Sequence, residues 1–224
     1  MTDSTQAARA VLPGEGPVAR RSVSEGVADH LRQLVFDGDL RDGDRIPQRE
    51  IAKALGVSSV PVREALAALQ REGVVTIEPN RGAFVNGLDA EVVAEQFYIF
   101  GRIYGLAARK TAERADPEVS TALSDLAARI AGESDLDALL ALSSAFQMRI
   151  VDAGGSKRLR ALITPLSRLV PGNFYAKIPG SAKLVPRWVA AISRAIASGR
   201  GEAAEQACWR FIDEVGDLVA RRFR

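Results

Sequence analysis

The chain has 224 residues, 47% of them apolar and 26% charged, enough to bury the core of one large or two small domains and unlike a disordered or membrane composition. Its single cysteine, Cys208, excludes an intrachain disulfide and a Cys-based metal cluster, and no apolar run approaches the ~18 residues of a membrane span. A net charge of +2 is too small to argue for nucleic acid, so any DNA-binding surface must come from where individual cations stand.

Residues 1–19 are rich in Ser, Thr, Pro and Gly and lack an apolar h-region, which predicts a flexible tail rather than a signal peptide and, with the lone cysteine, a cytoplasmic setting. From Val23 the apolar residues fall at 23, 27, 31 and 34, one face of a helix ending near Phe36 before Asp37-Gly38-Asp39. His30, the only histidine, sits at the edge of that face and reads as a structural side chain. A second helix fits Gln48 to Leu55, with Ile51 and Leu55 inward and Gly56 suited to a left-handed stop. Ser58 or Ser59 can cap a third helix, with Pro61 in its first turn, where a missing N–H costs nothing. Val62, Leu66 and Leu69 form its inner face, leaving Ser59, Val60 and Arg63 near an exposed N-terminal end, and Gly73 stops it. Two short strands, 74–77 and 83–85, flank Glu78-Pro79-Asn80-Arg81-Gly82, a hairpin with Arg81 at its tip.

Helix, tight turn and helix is the helix-turn-helix layout, whose second helix enters the major groove N-terminus first, and a slim basic hairpin suits a minor groove or phosphate track. Taken singly, Arg63 or Arg81 could equally be a solvated side chain on a helical bundle; the whole succession is what points to DNA.

On these residues the stretch LRQLVFDGDLRDGDRIPQREIAKALGVSSVPVREALAALQREGVVTIEPNRGAFV resembles the winged helix-turn-helix of the GntR family, notably in PVREAL and PNRGAFV. The resemblance implies DNA contact by Arg49 on the second helix, by Ser58, Ser59, Val60 and Arg63 around the recognition helix, and by Arg81 and Gly82 on the wing. Ser59 and Val60 stand where that family usually has Arg-Thr, which removes one bidentate contact and implies a different operator.

Residues 88–224 carry almost no strand signal. Asp89 can cap a helix to about Arg114 with Val92, Val93, Phe97, Phe100, Tyr104 and Ala108 inward. Asp116-Pro117 opens another bearing Leu123, Leu126 and Ile130; Leu136 to Val151 is a third, stopped by Gly154-Gly155. Leu159 to Leu169 is a fourth, ended by Pro171-Gly172; residues 173–183 are looser, and helices over 184–197 and 201–223 close the chain, with Arg221, Arg222 and Arg224 a solvated end. The expected fold is therefore mainly α: a winged helix-turn-helix with a small β-hairpin wing over 20–87, then an all-α antiparallel helical bundle over 88–224 for effector binding and dimerisation.

That order resembles the FadR subfamily of GntR regulators with an FCD-type effector domain, through GLAARKTAERADPE, AFQMRIVDAGGSKRL and AISRAIASGRGEAAEQA. Many such domains hold a divalent metal through an Asp and three His. The positions that match those ligands here are Ser143, Gln147, Val189 and Phe211, while Phe100 and Tyr104 stand for the family's Arg and Glu. The resemblance thus implies a metal-free pocket, no cofactor, and a largely apolar, acyl or aromatic effector. Tyr104, Trp188, Trp209 and Phe211 read equally well as pocket lining or plain core. One His, read as structural, cannot serve as both base and ligand set, so a His dyad and a His-based metal site lack material, and Gly154-Gly155-Ser156 is too short for a phosphate loop.

The sequence reading is thus a homodimeric, non-enzymatic transcription regulator, more simply a repressor, on a palindromic operator of double-stranded DNA, with a small-molecule effector and no membrane partner. Its competitors are a constitutive DNA-binding regulator with a decayed pocket, and a helical carrier or enzyme with an accessory N-terminal domain.

Overall fold

The computed structural model describes residues 22–171 and 173–224; the expectations for the tail over 1–19 and for Gly172 lie outside them. Helix α1 (Val23–Asp37) opens with a capping box the sequence reading passed over: Ser22 accepts from the Glu25 N–H and the Glu25 carboxylate accepts from the Ser22 N–H. It stops at Gly38, φ 82°, whose N–H turns back to the last carbonyls. Helix α2 (Gln48–Ala54) buries Ile51 and Ala52. Leu55, expected inward, is its exposed C-cap, because the chain leaves the helix there through Gly56, φ 64°.

Helix α3 (Ser59–Arg71) buries Val62, Ala65, Leu66 and Leu69 against α1. Ser58 takes the N-cap position, but neither it nor Ser59 supplies the side-chain cap the sequence suggested. Strands β1 (Val75–Glu78) and β2 (Gly82–Val85) pair antiparallel from Val75↔Val85 to Glu78↔Gly82. The approach to α2 joins this hairpin as a short third rung, with Arg45 bridged to Phe84 and the Ile46 N–H donating to the Ala83 carbonyl at 2.8 Å. These elements share one apolar cluster, from Val27 and Leu31 to Ala83 and Val85.

A second cluster fills the bundle. Its centre is α4 (Ala90–Arg114), capped by the Asp89 carboxylate at the Val92 N–H. Around it lie α5 (Pro117–Ala131), α6 (Leu136–Gly154), α7 (Lys157–Leu166), α8 (Phe174–Lys177), α9 (Ser181–Ala197) and α10 (Gly201–Ala220), the last followed by one 3-10 turn, Arg221–Phe223. Close helix approach depends on two glycines. A Cβ on Gly216 of α10 would lie 2.7 Å from Phe97 Cβ, and one on Gly154 of α6 would lie 1.9 Å from the Ala107 carbonyl oxygen. Thr111 uses the second approach, donating to the carbonyls of Ala107 and Ile150 at 2.9 and 3.0 Å.

Three further expectations need correction. Val92 is exposed, on the side of α4 that faces a cleft with the head rather than the bundle core. Helix α7 ends at Leu166, not Leu169: the Ser167 N–H still donates to the Ile163 carbonyl, but the Arg168 N–H turns to Pro165 in a 3-10-type bond that closes the ladder. The looser stretch contains a helical turn, α8, because the Asn173 side chain accepts from the N–H groups of Tyr175 and Ala176.

Candidate functional site

At the N-terminal end of α3, Ser58, Ser59, Val60 and Arg63 are all exposed, Val60 to 52%. Arg49 on α2 is exposed as well. Among the described residues neither Arg49 nor Arg63 makes a hydrogen bond, ion pair or ring contact, so both guanidiniums keep their full donor sets for an external anion. Arg81 occupies the wing tip with its side chain 71% exposed, but it is tethered, paired to Glu78 and lying 5.6 Å from the Phe84 ring. Asn80 and Gly82 adopt φ of 61° and 117° to make that tip.

Sequence reasoning missed Arg45. Its backbone is bridged to Phe84 and its guanidinium lies over Gly82, with Nε 3.0 Å from where a Cβ would be. Gly82 is required for its φ, and its missing side chain leaves room for the Arg45 guanidinium to lie across it. Arg45 is exposed and adds a second cation beside the wing. Only the pairing of residues 43–46 with β2 reveals this, and nothing in the local pattern of DGDRIP signals it.

What holds α3 in place is a buried charge pair. Arg32 of α1 is 5% exposed; its Nε and Nη2 donate to both oxygens of Glu72, at 3.0 and 2.8 Å, and its Nη1 to Asp29 at 2.6 Å. A bidentate, charge-assisted clamp at the C-terminal end of α3 fixes the helix while leaving its N-terminal end clear.

In the bundle, Phe100 and Tyr104 of α4 stack at 6.0 Å and 17°. Phe100, Tyr104, Ser143, Val189 and Phe211 are all buried, and Gln147 is half-buried on α6. The Tyr104 hydroxyl is buried without a hydrogen-bond partner, and Ser143 Oγ is buried beside the Tyr175 hydroxyl. Burial drives the Tyr104 phenol well above its ordinary range, with Cys208 and Tyr175 adding to the rise. Tyr175 of α8 is raised too by burial, partly offset by the neighbouring Ser143 hydroxyl. Burial, and after it Glu205, likewise pushes the Cys208 thiol up, so it stays protonated and inert. The result is a neutral cluster of hydroxyls in an apolar core.

A divalent metal does not fit here. The matching positions offer a hydroxyl, an amide and two buried hydrocarbon side chains, Val189 and Phe211, and no group of three His, Cys, Asp or Glu among the described residues could hold an ion. The two tryptophans are half-buried at the edge of this core. Trp188 donates to Glu214 at 2.6 Å, and Trp209 lies under the Arg102 guanidinium, 4.5 Å from its ring centroid.

A helix presented by its free N-terminal end, with a basic-tipped hairpin beside it, defines a winged-helix DNA-binding protein, here joined to an all-helical domain. The gntR family of bacterial regulatory proteins matches residues 23–85, and the FCD domain matches residues 102–214. An uncharacterized HTH-type transcriptional regulator of Mycobacterium tuberculosis (strain ATCC 25618 / H37Rv) is 30% identical over 182 residues, 81% of this chain and 75% of that one. The HTH-type transcriptional repressor NanR of Klebsiella aerogenes is 36% identical over 81 residues, 36% of this chain and 31% of that one. The solved structure of E. coli McbR/YncC superposes with a TM-score of 0.66 at 18% identity, covering 91% of this chain and all 100% of that one. A putative transcriptional regulator GntR from Rhodococcus sp. RHA1 gives 0.58 at 26% identity, covering 90% and 99%. The chain belongs to the GntR family and combines its DNA-binding domain with an FCD domain. It is a DNA-binding transcription regulator, and the carrier or enzyme alternative falls away.

Proposed function

We propose that the chain is a homodimeric repressor that reads a palindromic operator in the cytoplasm and releases it when a largely apolar effector enters the core of the FCD domain. The division near Leu88, a residue packed against both apolar clusters, separates reading head from effector domain. The observation that carries the DNA side is the pair Arg49 and Arg63, exposed and without an intramolecular partner at the free end of α3. Arg63, Ser59 and Val60 read base edges, while Arg49, Arg81, Gly82 and Arg45 hold the backbone.

Tyr104 and Ser143 carry the effector side. The Tyr104 hydroxyl, buried without a partner, leaves hydrogen-bonding capacity that a neutral polar end of a ligand can fill, with the Ser143 and Tyr175 hydroxyls beside it. Phe100, Val189 and Phe211 then take its apolar body, and Gln147 stands nearer the solvent.

Dimerisation is supported by a row of apolar residues on the outer side of α4: Val92, Ile99 and Leu106 are 40%, 49% and 39% exposed, with Leu162 of α7 62% exposed nearby. Their seven-residue spacing is that of a helix seam packing on an identical helix. Two half-sites read by two heads follow from such symmetry.

Selection of bound sites from random DNA tests the reading. Enrichment of an inverted repeat is expected; failure to enrich any sequence sinks it. Sedimentation of Ile99→Glu checks the seam, since a variant that stays dimeric places the interface elsewhere.

A further inference from the structure

Phe36 and Asp37 end α1, yet they serve the bundle rather than the head. Phe36 is 2% exposed within the bundle's apolar cluster and meets Phe223 edge-on, with ring centroids 5.5 Å apart at 75°. Lys177 Nζ stands 5.4 Å from the Phe36 centroid, and the Arg222 guanidinium 5.0 Å. Both cations converge on Asp37: Lys177 Nζ donates to its two carboxylate oxygens at 3.1 and 3.3 Å, and Arg222 Nη2 to one of them at 3.4 Å. Arg222, expected as a solvated end, is instead part of a latch across the two domains. Although burial alone would raise it, the Asp37 carboxyl is held below its ordinary range by Gln33, Lys177 and Arg222.

The latch is reached from the hydroxyl cluster through one short element. Helix α8 has four residues, too few for a ladder that would make it rigid by itself. Its position depends on the Asn173 cap and on its side chains. Tyr175 is buried beside Ser143 and Tyr104, whereas Lys177, two residues on, holds Asp37 and Phe36. The ion pairs are part-exposed, with side-chain exposures of 22% for Lys177, 34% for Asp37 and 40% for Arg222, so each contact is individually weak and can open.

We propose that α8 is the relay between effector core and reading head: a ligand that engages Tyr175 and Ser143 displaces α8, withdraws Lys177 from Asp37 and Phe36, and frees α1 from the bundle. This rests on the repressor reading above, and it assigns the closed latch to the DNA-competent state. Ligand and DNA are then coupled because each favours a different position of one element.

Phe36 sits in a core, so its truncation could unfold the bundle; the surface charges make the cleaner test. Full-length Asp37→Asn, Lys177→Met and the double variant are titrated against the operator selected with the parent protein, alongside hydrogen exchange over residues 30–40. Asp37→Asn should weaken the operator complex about fivefold, the low end of ordinary allosteric coupling, and speed exchange in the last turn of α1. The double variant should lose no more than Asp37→Asn alone, because both substitutions open one latch. Tyr175→Ala should speed exchange at the same residues of α1 without touching the latch itself. Unchanged or tighter operator binding in Asp37→Asn, additive losses in the double variant, or a Tyr175→Ala protein with parental exchange in α1 would each overturn the relay. If the parent protein selects no DNA, the repressor reading fails separately, and hydrogen exchange still decides whether α8 holds α1.

Discussion

In the head, the groups offered to a partner are spare parts of the fold. Arg49 and Arg63 are exposed and bound to nothing among the described residues, while the charges that hold α1 to α3, the buried Arg32 and the half-buried Glu72, lie at the opposite end of the recognition helix. In the bundle the order is reversed. Tyr104 and Ser143 lie inside the core that folds the domain, and the Tyr104 hydroxyl is what that core leaves unsatisfied. A DNA-reading surface can therefore change its contacts without altering its scaffold. A core pocket cannot, because every residue that meets the ligand also packs the protein.

The first way to break this comparison is to strike the head where fold and function are separate. Arg32→Ala leaves the half-buried Glu72 carboxylate without its bidentate partner at the edge of a cleft. The expected loss is about 2–3 kcal/mol of head stability, below that of a fully buried pair because solvent can reach the carboxylate, read from urea unfolding of the full chain. A loss below about 1 kcal/mol would mean that the clamp is not what sets α3.

Arg63→Ala, by contrast, should leave unfolding unaltered and weaken operator binding by about 1–3 kcal/mol, with specificity relaxed at the base pair it reads. Titration at fixed salt decides it. Unchanged affinity would show that the free end of α3 does not enter the groove.

The same contrast explains what could be read in advance. Gly38, Gly56 and Gly73 punctuate the head at φ of 82°, 64° and 78°, so its helix ends were legible from composition alone. The exposure of the residues proposed to face DNA was legible too, because they are local to one motif and lie off the apolar face of its helices. Arg45 was not, since its place beside the wing depends on a bridge to Phe84, 39 positions on. In the bundle, periodicity found the buried faces of α4 and α5 but put Val92 with them. A row facing the head or a second copy has the same spacing as one facing the core. The latch at Phe36 was invisible for a related reason: an apolar residue at the end of an amphipathic helix says nothing about which domain buries it.

A smaller effect sharpens the division of labour within the head. Arg81 is tethered to Glu78, so DNA must draw it from an existing pair. Arg81→Ala should cost about 1 kcal/mol or less, equally on operator and random duplex, and reduce the salt dependence of binding by about one counterion. A loss confined to one base position would make the wing a sequence reader and not a clamp.

The smallest expected effect carries the opposite sign. Tyr104 stacks on Phe100, and Phe can keep that packing while removing a hydroxyl that is buried without a partner. An unmade buried hydrogen bond is a cost the folded chain carries, so Tyr104→Phe should stabilise the ligand-free protein by roughly 0.5–1 kcal/mol. The substitution should also shrink the rise in melting temperature that acyl or aromatic ligands produce, because the vacated donor is the one the ligand would have used. These two readouts move in opposite directions only if the hydroxyl serves binding rather than folding. A protein destabilised by Tyr104→Phe would place a bound water or a side-chain partner on that oxygen, and the core would then be a packed interior with no vacancy for an effector's polar end.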